Sequence, residues 1–380
     1  MDAQRPIYLN HAAAAWPKPP GVVEAVAAAL RRPPEDPGRS PGDGADADVA
    51  LRGRRALAAL LGVPDPARIA LTAGATHALN LAILGLAPRL TRVVTTVTEH
   101  NSVLRPLWRL RRSAGIDLEV VGLGADGGLD REAWTRALAR PADLAVLNHA
   151  SNVTGRVNPV AECFAAARAA GARTLLDAAQ TMGRVPVRPL ELQADLVAFP
   201  GHKGLWGPPG TGGLWVAPGI ELEQVLVGGT GVRGLSEAHP PDMPLRLEAG
   251  TPNAPALAGL LAALDWRAAL GDALERRAEE TLRRLREGLR SIPAVRIVDD
   301  QDAPRVGVVS ILLAGWDVAE AGFVLRESFG IVTRAGLHCA PLLHAALGTA
   351  PQGTLRLSVS GLTTEADVDA TLAALRRMAR

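Results

Sequence analysis

The chain has 380 residues, of which 48% are hydrophobic and 21% charged, so it is long enough for two domains with sizeable cores. Its 41 basic and 39 acidic residues give a formal net charge of +2, and the arginines at 109, 111 and 112 come without aromatic or DNA-binding motifs. This balance argues against nucleic-acid binding, and the lack of an apolar run of about 20 residues argues against a membrane span.

Two cysteines, Cys163 and Cys339, are too few for a disulfide framework or a four-ligand zinc site, so no metal site is expected. The first residues, MDAQRPIYLN, lack the basic and apolar regions of a secretion signal, which predicts a cytoplasmic protein. Cys163 stands in the alanine-rich stretch AECFAAARAAG, where a small buried residue is expected. Cys339 stands in a loop with glycine and histidine and needs another explanation.

Short apolar runs alternate with helix-like segments over about the first 250 residues. The predicted strands are IALT (69–72), RVVTTV (92–97), LEVV (118–121), LAVLNH (144–149), TLLD (174–177) and DLVAF (195–199). Such alternation predicts an α/β fold with a mostly parallel sheet covered by helices on both faces. Ligands are then expected at the carboxyl ends of the strands.

The pattern changes near EAGTPNAP (248–255), after which a long helical stretch (256–290) leads into a mixed tail with RIV, VGVVSILL and LRLSVS. We therefore expect a large domain over 16–255 and a smaller α/β domain over 256–380, with segment 1–15 packed near the smaller one. Residues 33–48 carry so much Pro, Gly and Asp that a mobile loop is predicted there.

Three short patterns resemble phosphate-binding or hydrolase motifs, but the context argues against each. GPPGTGG (207–213) begins like a P-loop and then lacks the Lys and Ser/Thr of that motif. GLGADG (122–127) follows a strand but runs into an Asp-Gly-Gly turn, with the next helix expected to start at Asp130. GRSPG (38–42) has no preceding strand, as a nucleophile elbow would require.

Reactive side chains follow the ends of two successive predicted strands. Asp177 ends TLLD, Gln180 comes three residues later, and the strand DLVAF ends just before His202 and Lys203. Because parallel strands end at the same edge of a sheet, the Asp177 carboxylate and the Lys203 amine can meet over one ligand. Pyridoxal phosphate requires such a pair, a lysine for its aldehyde and an acid for its pyridine nitrogen. An isolated lysine is more often a surface residue, but the Gly and Pro neighbours favour a functional one here.

Other strand ends supply groups that suit the rest of this cofactor. In AGATHALN, the backbone amides of Gly74, Ala75 and Thr76 are placed to bind a phosphate at a helix N-terminus. His100, in EHNS, offers a flat imidazole to a ring, and Asn152, in HASNVTG, offers a hydrogen bond to the ring hydroxyl. Each residue alone would be interpreted as a cap or turn, so their joint placement after successive strands is the evidence.

These segments make the chain similar to the class V branch of fold type I pyridoxal-phosphate enzymes, and closely similar to the cysteine desulfurases with their selenocysteine lyase relatives. The resemblance runs through YLNHAAAAWPKPP, PGRS, TAGATHALNLAI, TEHNSVLRPL, HASNVTG, LLDAAQTMG, AFPGHKGLWGPPGTGGL, EAGTPN, TRAGLHCAPLLH and GTLRLS. It implies a fold type I PLP-dependent transferase with a mostly parallel seven-stranded sheet between helices and a smaller C-terminal α/β domain.

The resemblance also implies the roles of the cofactor residues. Lys203 forms the Schiff base, Asp177 pairs with the pyridine nitrogen, and His100 stacks on the ring. Gln180 and Asn152 contact the ring oxygen. All five stand in motifs that match the family.

For the phosphate, the resemblance implies Thr76 and His202 of one subunit together with Thr251 of the neighbouring subunit. A homodimer with shared active sites is therefore expected. Arg356, in LRLS, is implied to hold the carboxylate of a small amino-acid substrate as a bidentate pair, with Asn152 also on the substrate side.

Cys339, in RAGLHCAP, falls where the family places its nucleophile. The resemblance implies that Lys203 removes the α-proton of L-cysteine and that the Cys339 thiolate then attacks the substrate sulfur. L-Alanine and an enzyme persulfide result, and a sulfur-acceptor protein is a possible partner. The chemistry needs a thiolate, which His338 or the cofactor cation could favour. The expected activity is that of a PLP-dependent cysteine desulfurase.

The chain departs from the family pattern at several positions. Pro200 stands where relatives usually have Ser or Thr, which removes one phosphate donor. Asn10, His11 and Ala14 depart from the usual Asp-Asn-Ala-Ala-Thr start, and Thr363 replaces an expected asparagine. These changes leave other enzymes open as alternatives, namely a selenocysteine lyase, a C–S lyase or an aminotransferase. A non-enzymatic scaffold that binds a sulfur-acceptor protein is a third possibility.

Overall fold

The computed structural model describes residues 5–33 and 48–380. The loop predicted over 33–48, except its two end residues, lies outside the described residues, as do PGRS and GRSPG. No helix in the described part is long and apolar enough to cross a membrane.

The described residues form thirteen strands and eleven helices. The strands are β1 (Ile7–Tyr8), β2 (Ile69–Thr72), β3 (Arg92–Thr96), β4 (Asp117–Val121), β5 (Leu144–Asn148), β6 (Arg173–Asp177), β7 (Leu196–Pro200), β8 (Gly212–Val216), β9 (Val295–Val298), β10 (Val308–Leu313), β11 (Ile331–Val332), β12 (Arg334–Gly336) and β13 (Thr354–Ser358). The helices are α1 (Val22–Arg31), α2 (Val49–Leu61), α3 (Ala75–Leu86), α4 (Asn101–Ala114), α5 (Arg131–Leu138), α6 (Val160–Ala169), α7 (Ala254–Leu270), α8 (Ala273–Arg290), α9 (Val318–Phe329), α10 (Pro341–Ala346) and α11 (Glu365–Met378).

The larger sheet has the order β2-β8-β7-β6-β5-β3-β4. Its neighbours are parallel except at β8, which runs antiparallel to both β2 and β7. The prediction of a mostly parallel seven-stranded sheet is therefore confirmed, and the six predicted strands match β2 to β7 within one residue at each end.

Strand β8 was not predicted, because its residues GGLWV begin with two glycines that favour loops. The packing explains these glycines. A Cβ at Gly212 would lie 2.5 Å from the Phe199 carbonyl oxygen, and one at Gly213 would lie 2.5 Å from the Phe199 ring. The strand can pair with β7 only because both side chains are absent.

Helices cover both faces of this sheet, so the middle residues of its central strands are mostly apolar. The side chains of strand β5 alternate between the two faces and pack into two different core clusters. Ala145 and Leu147 pack into one core cluster with Trp134 of α5. Leu144 and Val146 pack into the other, formed with α3 and α4. The sheet is thus buried on both sides, and only the tips of its strands are free to carry polar chemistry.

The smaller sheet has the order β12-β13-β10-β9, with every pair antiparallel and a core cluster of its own. Strand β1 pairs with β11, so the N-terminal segment joins this C-terminal part. The predicted long helix is instead two helices, broken at Gly271. Leu257 and Leu260 of α7 pack into the core of the larger sheet. The boundary between 255 and 256 stays a prediction.

The two motif-like stretches in the described part behave as turns or strands. In GLGADG, the Gly127 N–H donates to the Gly124 carbonyl at 2.9 Å, which closes a turn. Helix α5 begins after Asp130, whose side chain accepts the Ala133 N–H at 2.8 Å, as predicted. GPPGTGG leads into β8 rather than into a helix, so it offers no phosphate-binding helix N-terminus.

Candidate active site

A cavity of about 470 Å³ lies at the carboxyl ends of the central strands, a size typical of small-molecule sites. The structure brings nine of the ten predicted cofactor residues to its wall: Gly74, Ala75, Thr76, His100, Asn152, Asp177, Gln180, His202 and Lys203. The tenth, Thr251, is exposed and does not line this cavity. The parallel register explains the assembly, because Asn148 pairs with Asp177 and Asp177 with Ala198, so the three strand tips lie level.

Lys203 lies in the loop that connects β7 to β8. The Gly201 N–H donates to the Thr211 carbonyl at 2.7 Å, and the Trp206 N–H donates to the Lys203 carbonyl at 2.9 Å. The Ala15 N–H donates to the His202 carbonyl at 2.9 Å, which joins the N-terminal segment to this loop. The loop is therefore held by backbone hydrogen bonds, and the lysine is presented from a fixed position.

Partial burial lowers the pKa of the Lys203 amine to about 8. The Asp177 carboxylate opposes this shift, whereas Arg356, Arg184 and Arg334 lower the pKa further. A substantial fraction of the amine is therefore neutral near physiological pH, the form that reacts with an aldehyde.

Asp177 ends β6 and is only 4% exposed. Burial raises its pKa, while the Ala179 N–H, which donates to Oδ1 at 2.8 Å, and the Lys203 amine both lower it. The carboxylate and the amine are thus the natural counter-ions of each other in a place that removes both from water.

Helix α3 begins after Gly74, which has no side chain to cap it, and the Gly74 N–H donates to Thr72 Oγ1 at 3.4 Å. Thr76 Oγ1 lies 2.8 Å from Ser102 Oγ, and His202 Nδ1 is buried without a hydrogen-bond partner in the described chain. This arrangement suits an anion. Pro200 lines the same cavity and offers no donor, so the predicted loss of one hydroxyl stands.

His100 caps the N-terminus of α4, where its Nδ1 accepts the Ser102 N–H at 3.0 Å. Burial and then the Lys203 charge lower the pKa of His100 to about 4, so the ring is neutral. With Nδ1 as an acceptor, the ring hydrogen belongs on Nε2. The cavity therefore has a flat, uncharged aromatic wall.

Two amide oxygens in the cavity wall, Asn152 Oδ1 and Gln180 Oε1, are buried and accept no hydrogen bond from the described residues. Their amide nitrogens are occupied. Asn152 Nδ2 donates to the His338 carbonyl at 2.7 Å, and Gln180 Nε2 donates to the Ala12 carbonyl at 3.1 Å. Asn152 thus offers an acceptor here rather than the donor that the sequence suggested. Both oxygens require a donor from outside the chain, such as a ring hydroxyl.

The loop before α10 carries Cys339 in an unusual backbone conformation. His338 and Cys339 have φ angles of 48° and 59°, in the left-handed region that side chains other than glycine rarely adopt. The loop is tied to the cavity wall, because the Asn101 N–H donates to the Cys339 carbonyl at 2.7 Å and Asn152 binds the His338 carbonyl. Consecutive left-handed residues held in this way are typical of functional sites.

The cation beside the thiol is not the one expected. Burial and then Arg356 lower the pKa of His338 to about 2, so its imidazole is neutral and cannot favour a thiolate by charge. Arg334 takes that position, with Nη2 at 4.0 Å from Cys339 Sγ. Sequence reasoning missed Arg334, although it opens the motif RAGLHCAP and its charge was the available signal.

Arg356 in β13 is 1% exposed, and its side chain reaches across to the larger domain. Nη1 donates to the Asn152 carbonyl at 3.0 Å and Nη2 to Asn10 Oδ1 at 3.1 Å, while Nε is buried without a partner in the described chain. Burial, followed by Arg334 and Arg184, lowers its pKa to about 9. Nη1 and Nη2 both donate to uncharged oxygens, so these hydrogen bonds leave the positive charge of Arg356 able to attract an anion.

A second residue that sequence reasoning missed is Glu99, which is fully buried. Its Oε1 accepts the Asn148 N–H and the Thr96 hydroxyl, both at 2.9 Å. Burial raises the pKa of Glu99 to about 8, and the nearby Asp177 adds to that rise. The acid is therefore mostly neutral, which leaves Asp177 as the charged carboxylate of the pair.

Of the departures from the family pattern, Pro200 lines the larger cavity, and Asn10, His11, Ala14 and Thr363 do not. The Ala14 carbonyl accepts the Tyr8 hydroxyl at 2.9 Å, and Thr363 Oγ1 accepts the Ser360 N–H at 3.1 Å.

The comparison with known proteins agrees with this site. The family model described as "Aminotransferase class-V" matches residues 7–371. A probable cysteine desulfurase of Pseudomonas aeruginosa is 35% identical over 379 residues, which cover 95% of this chain and 90% of that protein. The chain belongs to the cysteine desulfurase family of the class-V aminotransferases.

Other members of the cysteine desulfurase family support the same assignment. A cysteine desulfurase of Pectobacterium carotovorum is 30% identical over 339 residues, 86% of this chain and 81% of that protein. The apo structure of a cysteine desulfurase from Thermococcus onnurineus superposes with a TM-score of 0.90 at 29% identity, covering 98% of this chain and 94% of that one. A cysteine desulfurase structure from Escherichia coli gives 0.88 at 30% identity, with the same coverage. The predicted family and fold type are confirmed, and class-V aminotransferases are pyridoxal-phosphate enzymes.

The two cysteines of this family member should react very differently. Cys163 is 1% exposed, and burial raises its pKa to about 12, whereas Cys339 is half-buried. We expect iodoacetamide at neutral pH to modify one thiol per folded chain, at Cys339, with Cys163 modified only after unfolding in urea. Intact-mass measurement and peptide mapping check this. Cys163→Ser should label like the wild type and Cys339→Ser should not label; two modified thiols in the folded chain would contradict the assignment.

Proposed function

We propose that this chain removes the sulfur of L-cysteine onto Cys339 and leaves L-alanine. The observation that carries the proposal is the attachment of the Cys339 loop to the wall of the cavity that Lys203 and Asp177 line. Asn152, a wall residue, holds the His338 carbonyl at 2.7 Å, and the Arg334 guanidinium lies 4.0 Å from the Cys339 sulfur. Cys339 and Arg334 do not line the cavity themselves, so the attachment of their loop is what supports a site shared with Lys203.

The residues of the larger cavity fit pyridoxal phosphate. Lys203 would bind its aldehyde, Asp177 its pyridine nitrogen, and the neutral His100 ring its face. The ring hydroxyl would donate its hydrogen to one of the two unpaired oxygens, Gln180 Oε1 or Asn152 Oδ1.

The anion-binding end of the cavity suits the phosphate, which Thr76, His202 and the N–H groups of Gly74 and Ala75 would hold. When bound, the cofactor supplies an electron sink for the charge left at the substrate α-carbon.

The side chains of the site divide the reaction among them. Arg356 would bind the substrate carboxylate, with Asn152 beside it. Lys203 Nζ, with a pKa of about 8, would accept the α-proton near neutral pH. Cys339 Sγ would then form a bond to the substrate sulfur while the carbon–sulfur bond breaks, which leaves a persulfide on Cys339 and, after proton return, alanine.

The persulfide would pass to a sulfur acceptor, for which a protein is the expected class. Cys339 must be a free thiol to begin each cycle, so a reducing compartment such as the cytoplasm suits this chemistry.

Replacement of the nucleophile tests the proposed function. Cys339→Ser should lower alanine release from L-cysteine by about a hundredfold or more, because the hydroxyl cannot accept sulfur, while the Schiff-base absorbance stays. Alanine assay and persulfide detection by mass spectrometry measure the result, with Cys163→Ser as the matched control and selenocysteine as a second substrate. Full alanine release by Cys339→Ser would contradict the proposal and indicate a lyase that removes sulfur without Cys339, whereas an aminotransferase would release no alanine from L-cysteine.

The pH dependence of cofactor binding follows from the lowered pKa of Lys203. Only the neutral amine attacks the aldehyde, so the rate of Schiff-base formation in the apoprotein should rise about tenfold per pH unit below about 8 and level off above it. Absorbance measured in a stopped-flow instrument gives the rate.

Asp177→Asn is the matched comparison for this pH profile. Asp177 raises the pKa of Lys203, so its loss should move the midpoint to lower pH. The free cofactor titrates in the same way in both experiments, so only the difference between the two pH profiles reports the effect of Asp177 on the pKa of Lys203. An unchanged or higher midpoint would contradict the pairing of Lys203 with Asp177.

A homodimer is the second part of the proposal. Apolar side chains are exposed together in segment 225–235, where Val227 is 64% and Leu235 is 105% exposed. The Gly250 N–H donates to the Gly229 carbonyl at 2.7 Å, so this segment and the neighbouring Thr251 belong to one surface. A clustered apolar surface of this kind is typical of an interface between proteins. A second copy would cover it and bring Thr251 to the phosphate of the other subunit.

Mixed dimers test this sharing. A dimer of one Lys203→Ala chain and one Thr251→Val chain should contain one site with all wild-type groups if Thr251 acts on the partner's site. Its cofactor affinity, measured by Schiff-base absorbance, should match the wild type at half the number of sites. Weak binding like that of the Thr251→Val homodimer would show that Thr251 acts within its own chain.

A further inference from the structure

A second, smaller cavity of about 40 Å³ also touches Lys203. Within the described part of the chain, Lys203 is the one residue that the walls of the two cavities share. The smaller cavity is lined by His11 of the N-terminal segment, Ser360 of the turn after β13, and Ala278 and Glu279 of α8. Glu279 is exposed, so this cavity extends to the protein surface.

His11 brings a buried, unpaired polar atom to this cavity. The residue is 2% exposed, and its Nδ1 makes no hydrogen bond with the described residues. The Tyr8 carbonyl is near enough to raise the pKa of the ring slightly, but without the geometry of a hydrogen bond. An unpaired buried nitrogen of this kind calls for a partner from outside the chain.

The tautomer of His11 follows from its other nitrogen. Nε2 lies 3.2 Å from Ser360 Oγ, and that oxygen already accepts the Leu362 N–H at 3.2 Å. The Ser360 hydroxyl can donate its hydrogen to Nε2, and in that arrangement the ring hydrogen lies on Nδ1. Burial and then Arg184 lower the pKa of His11 to about 3, so the ring is a neutral donor.

A water molecule is the partner that fits this donor. One water needs about 10–15 Å³ of such space, so the cavity has room for about three. A neutral donor attracts no particular anion, and the surface opening admits solvent. The hydrogen-bonding capacity of His11 and the size of the cavity therefore both favour water as the occupant.

We propose that His11 and Ser360 hold water in the smaller cavity, and that this water carries protons between Lys203 and bulk solvent. The proposal rests on the proposed function, in which Lys203 accepts the substrate α-proton. Each exchange moves one proton from the Lys203 ammonium to water, giving a neutral amine and a hydronium ion, and the reverse step returns a solvent proton. No carbon bond changes in this step. His11 is a positioning residue for the water.

Because the two cavities are separate, the proposed water route can operate while substrate occupies the larger cavity. Cofactor and substrate would fill the larger cavity and exclude solvent from that side of Lys203. The smaller cavity shares only Lys203 with it among the described residues, so it stays open while the larger one is filled. Lys203 can thus exchange its proton without release of the substrate.

Isotope retention tests the route. L-Cysteine deuterated at the α-carbon is converted in ordinary water, and the deuterium in the alanine is measured by mass spectrometry at both carbons. The wild type should retain little, because the deuteron on Lys203 exchanges. His11→Phe keeps an aromatic ring without Nδ1, and Ala278→Leu fills the cavity from α8; both should raise retention about threefold or more.

Ala273→Leu is the matched control, because it lies on the same helix outside the cavity wall, and its retention should equal that of the wild type. Retention unchanged in Ala278→Leu would overturn the route, even if His11→Phe fails to fold. A structural readout does not depend on turnover: a high-resolution crystal structure of the apoprotein should show an ordered water at His11 Nδ1. Its absence would overturn the water site. Failure of the wild type to make any alanine would refute the proposed function instead and leave the water to be judged by the crystal structure.

Discussion

The candidate site depends on the electrostatic attraction between two groups, the Lys203 amine and the Asp177 carboxylate. Burial lowers the pKa of one and raises that of the other, so each charge is costly alone and tolerable because of its partner. The parallel pairing of β6 with β7 places them together, since Asp177 is level with Ala198 five residues before Lys203 in the chain. A shift of register by one residue would separate the charges and turn their side chains to the other face of the sheet.

Positive charge exceeds negative charge around this pair. Arg356, Arg334 and Arg184 all lower the pKa of Lys203, while Asp177 alone among its strongest influences raises it. The nearby acid Glu99 adds little negative charge, because its pKa of about 8 keeps it mostly neutral. The surplus favours anionic ligands, which agrees with a site that would bind a phosphate at one end and a carboxylate at the other.

The strand tips could be predicted from the sequence because β2 to β7 are continuous apolar runs, and the residues after such runs must meet at one edge of the sheet. Strand β8 could not, because Gly212 and Gly213 are required by packing against Phe199, which only the fold reveals. The identity of the cation near Cys339 was also beyond sequence reasoning. His338 precedes Cys339 directly, but burial makes it neutral, and Arg334 reaches the sulfur only because the loop turns back on itself.

The residues of the site come from two parts of the fold, each of which has its own hydrophobic core. Lys203 and Asp177 belong to the larger sheet, whereas Arg356 in β13 and Arg334 in β12 belong to the smaller one. The connection between the two parts is polar next to the site, where Arg356 donates to the Asn152 carbonyl and Asn152 donates to the His338 carbonyl, and apolar beside it, where Val153 packs with Ala340 and Leu343. Polar contacts of this kind can separate and re-form at lower cost than an apolar core, because water replaces each lost partner. In the proposed function, the cofactor residues would therefore stay fixed in the larger sheet while the smaller part positions the substrate carboxylate and the sulfur of Cys339.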